Sequence, residues 1–573
     1  MDGTSTAGPG RIEARPANSE NKNVASRSRG NAQRSVDPAA IQPRGTAGRV
    51  FCMRNSRCVQ PVLLLLVVPL AACTVGPDFV KPEVSFNSSW REHEDGVRAE
   101  NGAADRVWWQ ALDSPTLTTL VESAYNGNPN LQVAGLRIMQ AQAQLNIATG
   151  AQYPQQQALS GSYTYRNRDP GLLDSDTDIV SQQIGLGATW EIDFWGKFRR
   201  NIEANQGALF STVAGYDDAL VTLVASVANA FVALRTVSAQ EAVYAANIAA
   251  QGEGLRIARV RFENGETSAL DVSQATTRLQ ETNAQIPGLK QQWRQTANTL
   301  SLLLGEPPGA ADSLLKDSTD VPKVPSNVDV DIPRDLLRRR PDVREALQAA
   351  AAQSALIGVA ESALYPSFSV SGFFGTGSTE LGTASLSDLF TWNGRALQVG
   401  GSFVFPIFNY GRLTNQVRVQ DAAFQEAVLN YQNTVLAAQE DVENALAAFV
   451  YGKRTAAALE QAAASARRTT ALALTQYKEG ETSFTTLLNA YESQLQVENR
   501  LAQSRGQVLL GLISVYRSLG GGWQIREGRS VISESVANDM RQRTDWGEML
   551  NTGGATMPPA GTQVPAPEEA QHR

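Results

Sequence analysis

Gly265-Glu266-Thr267-Ser268 occurs a second time, letter for letter, as Gly480-Glu481-Thr482-Ser483, 215 residues further on. The same spacing carries Trp190-Glu191-Ile192-Asp193-Phe194-Trp195-Gly196 onto Phe405-Pro406-Ile407-Phe408-Asn409-Tyr410-Gly411, and Asn229-Ala230 onto Asn444-Ala445. Upstream, Tyr153-Pro154 returns as Tyr365-Pro366 and Asn128-Pro129 as Arg340-Pro341, now 212 residues on. A duplication with one small change of length predicts two equivalent halves packed about a pseudo-two-fold axis. Residues 129–305 form the first repeat and 341–523 the second, joined by a linker over 306–340.

Each repeat reads as helix, two strands, very long helix, turn, helix. No proline interrupts Gly196 to Gly265 or Gly411 to Gly480, so each stretch predicts a helix of roughly 100 Å at 1.5 Å per residue. A helix of that length needs a partner surface. The return helices, 268–304 and 483–519, are about half as long. Helices 130–149 and 342–362 would stack end to end on them and complete a second rod. Ala225, Ala228, Ala230 and Ala233 suit close packing of these helices.

Between the helices the period changes to two. Leu159, Gly161, Tyr163 and Tyr165 alternate with Ser160, Ser162, Thr164 and Arg166; Ile184, Leu186, Ala188, Trp190, Ile192 and Phe194 alternate with Gln183, Gly185, Gly187, Thr189, Glu191 and Asp193. A polar loop is expected over Arg166–Ser181. The second repeat follows with Phe368, Val370, Gly372 and Phe374, then Leu397, Val399, Gly401, Phe403 and Phe405. Alternation of this length matches tilted membrane-spanning strands. Four strands cannot close a barrel, since small closed barrels have about eight, and an open sheet in lipid leaves backbone groups unsatisfied. Three chains supply twelve strands. Two would supply eight, with an interior filled by side chains.

The N-terminus carries an address. Pro61 to Leu70 is an apolar run too short to span a bilayer, ending in Leu70-Ala71-Ala72-Cys73. Met53, Arg54 and Arg57 complete the pattern of a lipoprotein signal peptide over 53–72 with Cys73 as the lipidated residue. Residues 1–52 read as a disordered extension or a misassigned start. Thr74 in place of aspartate points to sorting to the outer membrane. Cleavage before Cys73 removes ten basic and four acidic residues, taking the net charge from −7 to −13. Such an acidic body excludes a nucleic-acid partner. The only histidines, His93 and His572, lie outside the repeats, which removes a histidine-based metal site or general base from the core. No phosphate-binding, dinucleotide or hydrolase motif occurs. The residues suggest neither enzyme, metal nor cofactor.

Several motifs carry a family likeness: Cys73-Thr-Val-Gly-Pro-Asp-Phe79, Trp108-Trp109, Glu191 to Gly196, Ile332-Pro333 through Arg340-Pro341-Asp342, and Gly265 to Ser268. Over residues 73–523 the chain resembles the TolC-like outer-membrane efflux factors, most closely their NodT-type lipoprotein branch. The resemblance implies a mixed α and β fold: a trimeric outer-membrane β-barrel, four strands per chain, continuous with a long periplasmic α-helical barrel. It implies a homotrimer lipid-anchored in the outer membrane, a periplasmic adaptor (membrane fusion) protein and an inner-membrane RND transporter. The function implied is a passive exit duct for drugs or other small toxic compounds; a type I-like duct for proteins or signal molecules is the alternative. A lipid-tethered periplasmic coiled coil would be a reading of another class.

Within that likeness Gly265, Glu266, Thr267, Ser268, Gly480, Glu481, Thr482 and Ser483 are the expected adaptor-docking tips. They also have plain folding roles, glycine ending one helix and Ser or Thr capping the next. The family often places an aspartate ring just inside the helix after this turn. The first repeat keeps Asp271, whereas the second has Thr486 and Asn489. The expected gate is a closed state held by hydrogen bonds among Asp271, Asn489, Tyr477 and Arg261, with Thr486 beside them. Arg338-Arg339-Arg340 reads as a solvated turn before a helix opened by Pro341 and Asp342. Trp108-Trp109 reads as packing and Asp193 to Gly196 as a strand-to-helix corner. Residues 73–128 form the anchored segment with an equatorial helix, and 524–573 a C-terminal tail, largely disordered.

Overall fold

The computed structural model describes residues 74–550, apart from 86–88, 92–96, 99–103, 167–178, 317–321, 323, 325–327, 330–338 and 382–393. One antiparallel sheet holds β1 (Gln156–Arg166), β2 (Ile179–Ile192), β3 (Ser367–Leu381) and β4 (Arg395–Val404) in that spatial order. Leu159, Tyr163, Leu186, Phe374, Leu397, Val399 and Phe403 all lie exposed on one face. Both outer edges, on β1 and β4, are open among the described residues. The strands outrun the expected loop over 166–181. β2 begins at Ile179, paired with Arg166 on one side and Leu381 on the other. Inner strands have a neighbour on each side, so the ladder continues where apolar alternation has stopped, and the Gln182 amide donates to Ser378 Oγ at 3.0 Å.

The helices are α1 (Pro115–Gly127), α2 (Pro129–Gly150), α3 (Lys197–Glu263), α4 (Ala269–Asn283), α5 (Gln285–Leu303), α6 (Pro341–Ser362), α7 (Arg412–Glu479), α8 (Phe484–Ser518) and α9 (Glu534–Arg543). With 67 and 68 residues, α3 and α7 reach roughly 100 Å. They lie in four parallel rods: α2 with α5 and α4, then α3, then α6 with α8, then α7. One window of α3 is apolar enough to cross a membrane, but 72% of it is buried inside the protein, so packing accounts for its hydrophobicity. The first return rod is not the continuous helix expected over 268–304. It breaks at Ala284, because Pro287 has no N–H for the Asn283 carbonyl four residues earlier.

Midway along the rods sits the main core. Trp108 and Trp109 are buried, Trp108 stacked on Tyr516 at 5.3 Å between ring centroids, so this pair serves packing. The tail expected to be largely disordered over 524–573 contradicts the structure at 524–550. There Ile525, Val531, Ile532, Ala537 and Met540 are buried in this core and α9 forms; the Pro/Gly/Ala composition starts only after them, and 551–573 lie outside the described residues. Nor is Arg340 part of a solvated turn. It is buried, donating to the Ser518 carbonyl at 2.7 Å and to Asp342 and Asp441 at 2.8 and 3.1 Å. Arg338 is outside the described residues.

Candidate functional site

The two tetrapeptides sit at the ends of α3 and α7 farthest from the sheet and close with the same backbone geometry. Gly265 and Gly480 adopt φ +78° and +84°. Glu266 N–H donates to the Arg261 carbonyl and Glu481 N–H to the Gln476 carbonyl, both at 2.8 Å. A left-handed glycine followed by this backward bond satisfies the last carbonyls of a helix. The next helix then starts differently in each copy. Ser483 Oγ accepts from Thr486 N–H at 3.4 Å. Ser268 makes no such bond, and Thr267 Oγ1 instead donates to the Asp271 carboxylate.

Arg261 ties one hairpin to the other. Its guanidinium donates to the Tyr477 carbonyl, stands 5.0 Å from the centre of the Tyr477 ring, and lies 3.5 Å from the Glu266 carboxylate. Tyr477 is buried edge-on to Phe484, with Leu255, Ala258, Leu487 and Tyr491 around it. Burial pushes the Tyr477 hydroxyl above its ordinary range, against the pull of Thr267 and Arg261. Behind the tip, Arg278 bridges to Glu492 at 3.2 Å. Of the expected gate residues the structure therefore joins Arg261 to Tyr477 and Asp271 to Thr267. Asn489 and Thr486 are exposed, and among the described residues of one chain Asn489 takes no part in these bonds. It lies two residues from Leu487 and from Tyr491, about 200° around the helix from the packed face.

At the opposite end, Cys73 lies outside the described residues, but the segment after it is held. Val75 N–H donates to the Trp195 carbonyl at 3.1 Å, and Thr74 packs so closely on Gly196 that a Cβ there would strike it. Arg200, buried in α3, donates to the carbonyls of Val75 and Gly76 at 3.3 and 3.2 Å and to Asp78 at 2.6 Å. Sequence reasoning missed Arg200, and missed Asp217, which has no solvent exposure and is bonded by both Arg526 and Arg344. Burial pushes the Asp217 carboxyl up while those guanidiniums pull it down. Among the described residues no cluster of His, Cys, Asp and Glu would hold a metal.

The sequence matches the family described as "Outer membrane efflux protein" over residues 120–306 and 332–521, once for each repeat. It is 31% identical over 455 residues to Nodulation protein T of Rhizobium leguminosarum bv. trifolii, covering 79% of this chain and 94% of that one. To the pyoverdine export outer membrane protein OpmQ of Pseudomonas aeruginosa it is 30% identical over 485 residues, covering 82% of this chain and 98% of that one. Among solved structures, the outer-membrane channel OprN superposes with a TM-score of 0.73 at 30% identity, covering 79% of this chain and all of that one.

Proposed function

The chain belongs to the outer membrane efflux protein family, and from that premise we propose that three copies close into one passive duct carrying drugs or other small toxic compounds out of the periplasm. It is an outer-membrane efflux channel that extends into the periplasm. The observation that carries the trimer is the pair of open edges. A four-stranded sheet and four rods end on both sides in exposed apolar residues, and three such sheets make a twelve-stranded barrel with an open interior. Catalysis plays no part in this reading. Transport energy comes from an inner-membrane RND transporter, reached through a periplasmic adaptor that docks on the paired Gly-Glu-Thr-Ser hairpins. Lipid on Cys73 anchors the chain beside the strand-to-helix corner at Gly196, where Thr74 is packed.

At the tip, Arg261 on Tyr477 holds one hairpin to the other, Thr267 on Asp271 fixes the start of the first return helix, and together they keep the mouth closed. Deleting the gene should raise drug susceptibility, with the protein recovered as a trimer from outer-membrane fractions; unchanged susceptibility or a monomeric protein would defeat the proposal. The relatives named for pyoverdine export favour a secreted compound as the second reading. Loss of a secreted product at unchanged drug susceptibility would select it.

A further inference from the structure

The duplication predicts a contact that one chain cannot make with itself. At the first corner, Trp195 stacks on Tyr365 at 4.6 Å between ring centroids, and its Nε1–H donates to the Pro366 carbonyl at 2.8 Å. The first-repeat corner thus rests on the Tyr-Pro of the second repeat. The counterparts of these residues are Tyr410 for Trp195 and Tyr153-Pro154 for Tyr365-Pro366. Tyr410 is 99% exposed and Tyr153 64% exposed. The glycines that follow the two corner residues match, Gly196 and Gly411 both at φ +79°, whereas Tyr410 itself stands at φ +50°, a left-handed backbone that Trp195 does not share.

The helices repeat the same asymmetry. Val419, Leu429 and Leu436 on α7 are all more than half exposed. Their counterparts 215 residues earlier on α3, Ala204, Ala214 and Val221, are buried, where α3 packs on α6. The first-repeat counterpart of α6 is α2, which forms the other edge of the four rods.

We propose that the contact of Trp195 with Tyr365-Pro366 is reproduced between chains: Tyr410 of one copy stacks on Tyr153 of the next and donates its hydroxyl to the Pro154 carbonyl, with α7 laid against α2 below it. The partner is a second copy of this chain, because the internal contact supplies the matching surface. This inference rests on the trimeric reading and adds the residues that set its register. A soluble sandwich would bury both tyrosines or leave them apart; the repeat instead leaves one half of a known contact on each edge.

The test uses the full chain with two differently tagged single variants, Tyr153→Cys and Tyr410→Cys, co-expressed and treated in outer membranes with a short bismaleimide. The expected result is a linked pair carrying both tags, absent when either variant is expressed alone and absent when Tyr451→Cys replaces Tyr410→Cys. A protein that assembles as a trimer without that product overturns the contact while leaving the trimer intact. A protein that does not form trimers overturns both. A second measurement reads the hydrogen bond. Tyr410→Trp should keep the trimer's resistance to dissociation by heat in detergent, Tyr410→Phe should lower it and Tyr410→Ala should lower it further; equal resistance in all three would also overturn the proposal.

Discussion

Asp217 is a single carboxylate between two guanidiniums in a buried stretch of α3, and its removal takes the shared carboxylate from Arg526 and Arg344. Breaking a buried ion pair by deleting one partner costs about 3–5 kcal/mol, so Asp217→Ala should lower unfolding resistance of the purified protein by that order, read from denaturant midpoints. At the tip the effect should be functional rather than structural. Arg261→Ala and Asp271→Ala should each raise single-channel conductance in planar bilayers; conductance equal to that of the parent in both would remove these residues from the gate. Asp217-Asp218 inside an Ala, Leu and Val run is a visible oddity in the sequence. Its partners are not, since Arg344 and Arg526 lie 127 and 309 residues away and no local pattern links them.

Elements with a strong period were legible, and their ends were not. Seventy residues without proline announce α3 and α7, and alternation announces all four strands. Ser181 falls in the expected loop, and Gln182 just before the alternating run, because alternation reports only where one face is apolar. Their pairing with Thr379 and Ser378 rests on backbone ladder bonds, which need no apolar side chain, and on polar bonds between the side chains across each pair. Pro287 was in plain view, but helical spacing continues on both sides of it and hides the break. Replacing Pro287 with Ala should fuse α4 and α5, slowing amide exchange over 283–287. At the turns, Gly265→Ala or Gly480→Ala should each cost about 1–2 kcal/mol, the penalty for a side chain in the left-handed region, measured as a lowered denaturation midpoint.

At the scale of the molecule, composition did not reveal that packed structure continues past the second repeat, through 524–550. Truncation after 550 should leave outer-membrane abundance unchanged, whereas truncation after Ser518 should abolish it, because it removes Arg526 from Asp217 and Ile525, Ile532 and Met540 from the core; immunoblots of membrane fractions separate the two. The four-rod arrangement has one more consequence. The same packing surface occurs twice, buried inside the chain on α3 and exposed at its edge on α7, so if α7 packs on the next copy as proposed, damage to the two copies should be inherited differently. A charged residue at Ala214 ruins its own chain before assembly and should be recessive beside a wild-type gene. A charged residue at Leu429 leaves its own chain folded, enters mixed ducts and spoils its neighbours, and should therefore be dominant.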